Sequence, residues 1–574
     1  MPDWASSGLR PGQVTALVET MEKFHGDQKK VVICELPTGF GKSLFAECIR
    51  QLLDDTKANY CCTTKSLQTQ FVDDFKHFPG ARLLMGGSNY PTDIFPERFK
   101  NGSIDSLSGE DCDYPNGQAG PLHDDNEENK YCSHCRSMNT CPKRKAKSRA
   151  LGSKLAVLNT AYYLTAMNLG KPDFGKRGLV ILDEADLLEN SVMSFIEVTV
   201  TPAQMRKLGL EMPEKKTVAS SWESWAKESA VPKIEEAFTK LRSRHLLAEE
   251  SGDAVPSAIL REIKSLDSLR TRFRDLDQNL ANGNWVMTDY EKGGVTFKPI
   301  LVAPYGDKLW KHDSRFLLMS GTIICASVFA EELGLEKRDW GFVQSRQGFP
   351  VERRPIRIWP SGDMGKATEE QDRPKMVRRL LEIFRMHPTE RGIVHTVSFA
   401  RAKYFINEIC RIDHTMIDRI VTYRTADERD AAIAYHYKTP GSVIFGASLG
   451  RGIDAKHDRC RFNVLTKIPY PYLGDKQVSA RFHAKGGKLW YVVDTIRTIV
   501  QMLGRLIRSS EDWGISYILD TAWLKLWREN HHLIPQYIKD AITNSPVDTL
   551  VAIRAEWQSK LTEIERTENQ SALL

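Results

Sequence analysis

No stretch of this 574-residue chain approaches the roughly 18 consecutive apolar residues of a membrane-spanning helix. Its opening residues, MPDWASSGLRPGQ, lack a basic segment followed by an apolar core, so they do not read as a secretory signal. These absences predict a cytoplasmic protein in a reducing compartment, with no membrane partner. The compact length without targeting signals leans towards a bacterial or viral source. A disulfide framework is missing too: the eleven cysteines are odd in number, and Cys61 and Cys62 sit side by side in an apolar stretch. No internal repeat with a period of roughly 20–50 residues occurs, which excludes repeat architectures. Nor does one sign of charge dominate. The 80 Lys and Arg against 74 Asp and Glu leave a net charge of +6, weak evidence by itself for an anionic partner.

What is present is a globular composition, 41% hydrophobic and 27% charged, with length for roughly three or four domains. The stretch KKVVICELPTGFGKSLFAECIRQLL reads as strand, Gly/Pro turn and helix. Val31–Leu36 is an apolar run, and Leu44, Ile49 and Leu52 mark the buried stripe of the helix. GLVILDEADLLEN, RGIVHTVSFARAKYFINEIC and GSVIFGASLGRGID repeat the theme of a buried strand ending in polar or small residues. Strands alternating with helices predict an α/β fold with parallel sheets, whose chemistry lies at the carboxyl ends of the strands. Two stretches break the pattern. Residues 100–150 are polar and carry cysteines. In the second, Ile259, Ile263, Leu266, Leu269, Phe273, Leu276 and Leu280 predict a long amphipathic helix that packs on a partner, with Gly283 as its C-cap. WVMTDYEKGGVTFKPILVAPY (285–305) then reads as two strands about a Gly-Gly turn, returning to the sheet domain.

LPTGFGKS ends in Gly41-Lys42-Ser43 between a strand and a helix, the context that a phosphate-binding loop requires. Gly39 and Gly41 let backbone N–H groups turn onto phosphate oxygens, and the helix N-terminus adds its positive end. Lys42 suits the β- and γ-phosphates, and the Ser43 hydroxyl suits Mg²⁺. Position 36, glycine in the strict form of this loop, is Leu36. VILDEAD supplies Asp183 for the Mg²⁺ and Glu184 to orient and deprotonate the attacking water, while Asp186 reads as no more than a helix cap. In TIVQMLGRLIRSS, a continuous helix would place Gln501, Arg505 and Arg508 on one face, with Val500, Leu503 and Ile507 on another suited to core. The two arginines are then candidate fingers for phosphate charge.

Four cysteines, Cys112, Cys132, Cys135 and Cys141, follow the spacing C-x19-C-x2-C-x5-C. One short C-x2-C knuckle is compatible with zinc or with an iron–sulfur cluster, and the spacing alone leaves both open. Cys34, Cys48, Cys61 and Cys62 lie in apolar or strand context and read as core thiols. Residues 131–150 also carry Arg136, Lys143, Arg144, Lys145, Lys147 and Arg149 with no acid, either a solvated helix face or a phosphate track.

In this order the motifs resemble superfamily 2 helicases, and among them the XPD/DinG-type iron–sulfur helicases, over nearly the whole chain. LRPGQ (9–13) is similar to the adenine-recognition segment, with Gln13 as reader. LPTGFGKS is similar to that superfamily's nucleotide loop, which accounts for Leu36. CTTKSLQTQF (62–71) resembles motif Ia, which touches the nucleic-acid backbone, and DEAD (183–186) resembles motif II, where the family more often ends in His. LMSGTI (318–323), FPVERRPI (349–356) and GIVHTVSF (392–399) resemble motif III, the entry to the second motor and motif IV. GASLGRGIDAKHDRCRFNVLTKIPYP resembles motif V, with Arg451 where the family often has Glu, and QMLGRLIRSSEDWG (501–514) resembles motif VI.

The resemblance implies two RecA-like parallel-sheet motor domains with a small iron–sulfur domain and a helical arch domain inserted in the first. The boundaries it suggests are 1–99, 151–197 and 285–330 for the first motor, 100–150 for the cluster domain, 198–284 for the arch, 331–545 for the second motor and 546–574 for a helical tail. ATP and Mg²⁺ would be held by Gln13, Thr38, Gly39, Gly41, Lys42, Ser43, Asp183 and Asp454, with Glu184, Gln501, Arg505 and Arg508 completing the catalytic set. Cys112, Cys132, Cys135 and Cys141 would hold a four-iron, four-sulfur ([4Fe–4S]) cluster. Partners would be single-stranded DNA and DNA junctions, with Tyr131, Tyr162, Tyr163, Trp222 and Trp225 as candidates to stack bases. The activity implied is ATP-dependent unwinding with 5′→3′ movement. A translocase that displaces proteins or R-loops, or a non-hydrolysing scaffold subunit, would share the fold.

Overall fold

The computed structural model describes residues 8–37, 39–64, 67–69, 71, 80–90, 142–168, 174–175, 177–251, 257–280, 282–311, 314–345, 349–447, 449–450, 457–507 and 512–543. Its strands are β1 (Val31–Glu35), β2 (Ala58–Cys62), β3 (Ala81–Leu83), β4 (Leu155–Asn159), β5 (Leu179–Asp183), β6 (Val198–Val200), β7 (Trp285–Thr288), β8 (Val295–Pro299), β9 (Arg315–Ser320), β10 (Trp340–Gln344), β11 (Ile356–Gly362), β12 (Gly392–His395), β13 (Ile420–Thr422), β14 (Val443–Gly446), β15 (Phe462–Leu465) and β16 (Ile515–Asp520). A seven-stranded sheet has the order β10-β1-β9-β5-β2-β4-β3, and a six-stranded sheet has β11-β16-β15-β12-β14-β13. Every pairing in both is parallel. Each sheet is covered on both faces, so its strands are apolar without alternation. In β1, Val32 and Cys34 join the core on one face, and Val31 and Ile33 join the core on the other. These are the two RecA-like motor sheets expected from the sequence. Among the described residues, no helix is long and apolar enough to cross a membrane.

The helices that position the site are α1 (Pro11–Met21), α2 (Lys42–Leu52), α3 (Pro142–Gly152), α4 (Leu188–Ile196), α5 (Val231–Ser251), α6 (Ser257–Leu280), α7 (Ala326–Glu332), α8 (Lys476–His483) and α9 (Gly487–Leu503). The long amphipathic helix is α6. Ile263, Leu266, Leu269, Phe273, Leu276 and Leu280 are buried in a core shared with Trp222, Trp225 and Phe297. Gly283, at φ 67°, follows the helix end as a cap residue. Trp222 and Trp225 therefore belong to the arch core rather than to a stacking surface. Their indole N–H groups donate to the Lys216 and Glu211 carbonyls at 2.8 and 2.6 Å. Tyr163 is buried as well, Tyr162 packs its edge on Phe174, and Tyr131 lies outside the described residues.

Two boundaries differ from expectation. The 285–305 segment does form a hairpin, but β7 and β8 pair antiparallel with β6 in a separate three-stranded sheet. Trp285, Val295 and Phe297 need an apolar cover, and the arch helices supply it. The hairpin thus belongs with the arch and does not return to the motor sheet. At the other boundary, β10 pairs in parallel with β1, so the first sheet still takes a strand at 340–344, beyond the expected limit of 330. The chain enters the second sheet only at Ile356. Helix α3 crosses the expected limit at 150 and packs on β3 and β4. The expected tail at 546–574 lies outside the described residues.

Candidate nucleotide site

β1 ends at Glu35 and the chain turns sharply into α2. Gly39 and Gly41 take φ values of 77° and 88°, conformations that a Cβ disfavours. A Cβ on Gly41 would also lie 2.9 Å from Gln13 Nε2. Arg10 braces the turn by donating to the carbonyls of Gly39 at 2.7 Å and Phe40 at 2.6 Å. Gln13 is buried at the start of α1, where its Nε2 donates to the Phe40 carbonyl and its Oε1 accepts from the Arg10 N–H at 2.8 Å. The residue expected to read adenine therefore holds the phosphate-loop turn. Thr38 lies outside the described residues.

Lys42 opens α2 and meets the acids at the end of β5. Its Nζ is 3.0 Å from Glu184 Oε1 and 3.9 Å from Asp183 Oδ1. Burial works against the ammonium, but the Glu184 and Asp183 carboxylates outweigh it and hold Lys42 above the ordinary lysine range. Glu184 has φ 51°, a left-handed conformation, and its N–H donates to Asp183 Oδ1 at 3.0 Å. The Tyr60 hydroxyl donates to Asp183 Oδ2 at 2.9 Å. Ser43, the residue after Lys42 in α2, and Asp183 at the end of β5 carry oxygen donors of the kind that magnesium takes. The expected core thiols are buried; burial pushes Cys34 up to about 12 and Cys48 up to about 11, which keeps them protonated.

Asp186, expected as a plain cap, is the node that leaves the first sheet. It is buried and accepts from Ser320 Oγ at 2.7 Å at the end of β9. From the second motor, Gln501 on α9 donates its Nε2 to Asp186 Oδ2, and also to Thr322 Oγ1 at 2.9 Å. Motif II, motif III and motif VI therefore meet at one carboxylate. Of the helical face expected for Gln501, Arg505 and Arg508, the helix holds Gln501 but not Arg505. α9 stops at Leu503 with Gly504 as its C-cap, so Arg505 lies past the helix, where Nε donates to the Gly450 carbonyl at 2.8 Å in its own motor. Val500, Leu503 and Ile507 are buried as expected. Arg508, Arg451 and Asp454 lie outside the described residues, as do Cys112, Cys132, Cys135 and Cys141. Arg10, Tyr60, Ser320 and Thr322 were not singled out from the sequence. Arg10, Ser320 and Thr322 stand inside quoted motifs, and Tyr60 stands in none.

Comparison with known proteins agrees with this geometry. The Helicase C-terminal domain family matches residues 380–540, a stretch that holds most of the second sheet. A probable ATP-dependent helicase of Methanocaldococcus jannaschii is 22% identical over 620 residues, covering 89% of this chain and 92% of that protein. The match to the regulator of telomere elongation helicase 1 homolog of Caenorhabditis elegans is local: 25% identity over 152 residues, 23% of this chain and 15% of that one. A solved XPD helicase superposes with a TM-score of 0.61 at 15% identity, covering 92% of this chain and 98% of that one. The chain is thus similar in its second sheet to the helicase C-terminal domain family and over most of its length to a probable ATP-dependent helicase, and it shares the fold of the solved XPD helicase.

Proposed function

We propose that this protein is an ATP-dependent DNA helicase that translocates on single-stranded DNA and unwinds duplexes, moving 5′→3′. The observation that supports it most is the Gln501 bridge to Asp186 and Thr322, because it ties the second motor to the acids beside Lys42. Lys42 is paired with Glu184. Phosphate oxygens compete for the same ammonium. As Lys42 turns to them, Glu184 is released to accept a proton from water, and the charge change is felt two residues away at Asp186. Ser43 and Asp183 would hold magnesium, which when bound supplies positive charge to the phosphate oxygens. The four cysteines would hold the iron–sulfur cluster; their spacing and their place between the segments resembling motifs Ia and II support that reading.

The test is strand displacement on duplexes with a single-stranded tail at one end. A 5′ tail should support ATP-dependent unwinding and a 3′ tail should not. Unwinding from the 3′ tail alone would reverse the direction. ATP hydrolysis stimulated by single strands without displacement on either substrate would favour the translocase.

A further inference from the structure

LMSGTI, the segment resembling motif III, ends at Ile323, and the residue after it is strained. Ile324 has φ 66°, a left-handed value that a β-branched side chain resists. Among the described residues only Val397 shares that combination. The Cys325 N–H donates back to the Ile323 carbonyl at 2.7 Å, so Ile324 is the centre of a three-residue turn of the rarer, strained hand. Such strain persists only where the surroundings over-determine it. Two cores do so here. Ile323 is fully buried in the first motor, in a core with Leu318, Phe329 and Leu333. Ile324 packs instead on the core of the second motor, the cluster that holds Ile468, Ile496, Ile499 and Val500. Consecutive isoleucines are thus anchored in different motors, and the strained turn joins them.

The turn adjoins the carboxylate node. β9 ends at Ser320, whose hydroxyl donates to Asp186 at 2.7 Å. The Thr322 N–H donates to Ser320 Oγ at 3.1 Å, and Thr322 Oγ1 accepts from Gln501 at 2.9 Å. Val500, the neighbour of Gln501 on α9, belongs to the core on which Ile324 packs. One apolar contact therefore borders both partners of the Thr322–Gln501 hydrogen bond. We propose that Ile324 is a positioning residue for ATP hydrolysis, an inference that rests on the nucleotide reading above: seated in the second motor's core, it holds the strained turn and so keeps Thr322 in reach of Gln501. Without the seat the turn relaxes to negative φ, and Thr322 moves away from Gln501. An anchor that only added apolar contact would raise stability and have no effect on turnover per folded molecule.

The experiment measures steady-state ATP hydrolysis by the full-length protein at saturating single-stranded DNA, with a thermal melt of each variant. Ile324→Gly accepts the positive φ without strain and empties the seat. It should lower kcat about tenfold and leave KM for ATP within about twofold, the pattern of an interaction made in the transition state. Ile324→Leu keeps the volume and should stay within about twofold of wild type, because volume-conserving apolar swaps are tolerated best. Ile324→Thr keeps the β-branch, sets a hydroxyl against the apolar seat, and gives the readout should the glycine variant not fold. Combined with Gln501→Ala, the glycine variant should be no slower than the slower single variant, because both act on one hydrogen bond. Wild-type kcat in a folded Ile324→Gly or Ile324→Thr protein, a leucine variant as slow as the glycine one, or losses that multiply in the double variant would each overturn the role of Ile324 and leave the nucleotide reading standing. If wild type hydrolyses no ATP with DNA present, both fall.

Discussion

Asp186 is a single carboxylate on which two motor domains converge. Its buried oxygens accept from Ser320 in the first motor and from Gln501 in the second. Replacing Gln501 by Glu would set a second negative charge against Asp186 in a low-dielectric site, where like charges repel strongly. Gln501→Glu should therefore lower DNA-stimulated ATP turnover by about tenfold or more, equivalent to at least about 1.4 kcal/mol. Binding of a fluorescent ATP analogue should change little, because Lys42 and the loop are untouched. Wild-type turnover in this variant would remove Gln501 from the coupling path. The residues proposed for catalysis could be named from the sequence because they sit in dense local patterns, such as GKS after a strand or Asp-Glu at a strand end. Their partners were not. Nothing in the sequence says that Gln13 would brace a carbonyl, or that the tyrosine in ANYCC would donate to Asp183.

At the scale of elements, strand and helix identity followed from hydrophobic period, and the errors came at ends and pairings. Gly504 ends α9 before Arg505, although periodicity would carry the helix through. The hairpin β7–β8 was readable, but its sheet was not, because a strand's partner depends on which apolar face is available. Helix α3 carries Lys143, Arg144 and Lys145 on a segment with only Ala150 buried. If this helix tracks phosphates, replacing all three by Gln should flatten the plot of log affinity against log salt by up to about 2, at roughly 0.7 per single-strand contact. An unchanged slope makes it an ordinary solvated helix. The cysteine segment before it should bind metal. Protein purified without oxygen should be brown and carry about four irons per chain, as four-cysteine ligation implies. Cys135→Ser should lose the iron and unwinding but retain more of its ATPase, because Lys42, Glu184 and Gln501 lie on the motor sheets. One zinc and no iron would overturn the cluster and leave the motors intact.

At the scale of the whole molecule, the two motors are joined by buried charge. Arg481 of α8 pairs with Glu189 of α4 and lies 3.6 Å from Glu332 of α7. Arg497 of α9 lies 3.6 Å from the other Glu332 oxygen and 3.1 Å from Asp494. Arg481 and Glu189 are 292 residues apart in sequence, so no local pattern exposes the pair. Removing one partner of a buried pair strands the other, typically at about 3–5 kcal/mol. Glu332→Ala should therefore loosen the motors against each other. Calorimetry should show one main unfolding transition in wild type and two in the variant, and a single unshifted transition would mean that these pairs do not hold the interface.

ATP turnover in the first motor is expected to depend on closure with the second along single-stranded DNA. The deciding measurement is the steady-state rate of ATP hydrolysis with and without single-stranded DNA, for wild type, Lys42→Ala and Glu184→Gln. Wild type should rise about tenfold or more with DNA, a barrier change of about 1.4 kcal/mol or greater. Lys42→Ala should be inactive, and Glu184→Gln should bind the nucleotide yet not turn it over. A wild-type rate indifferent to DNA, or a Glu184→Gln rate equal to wild type, would contradict the account.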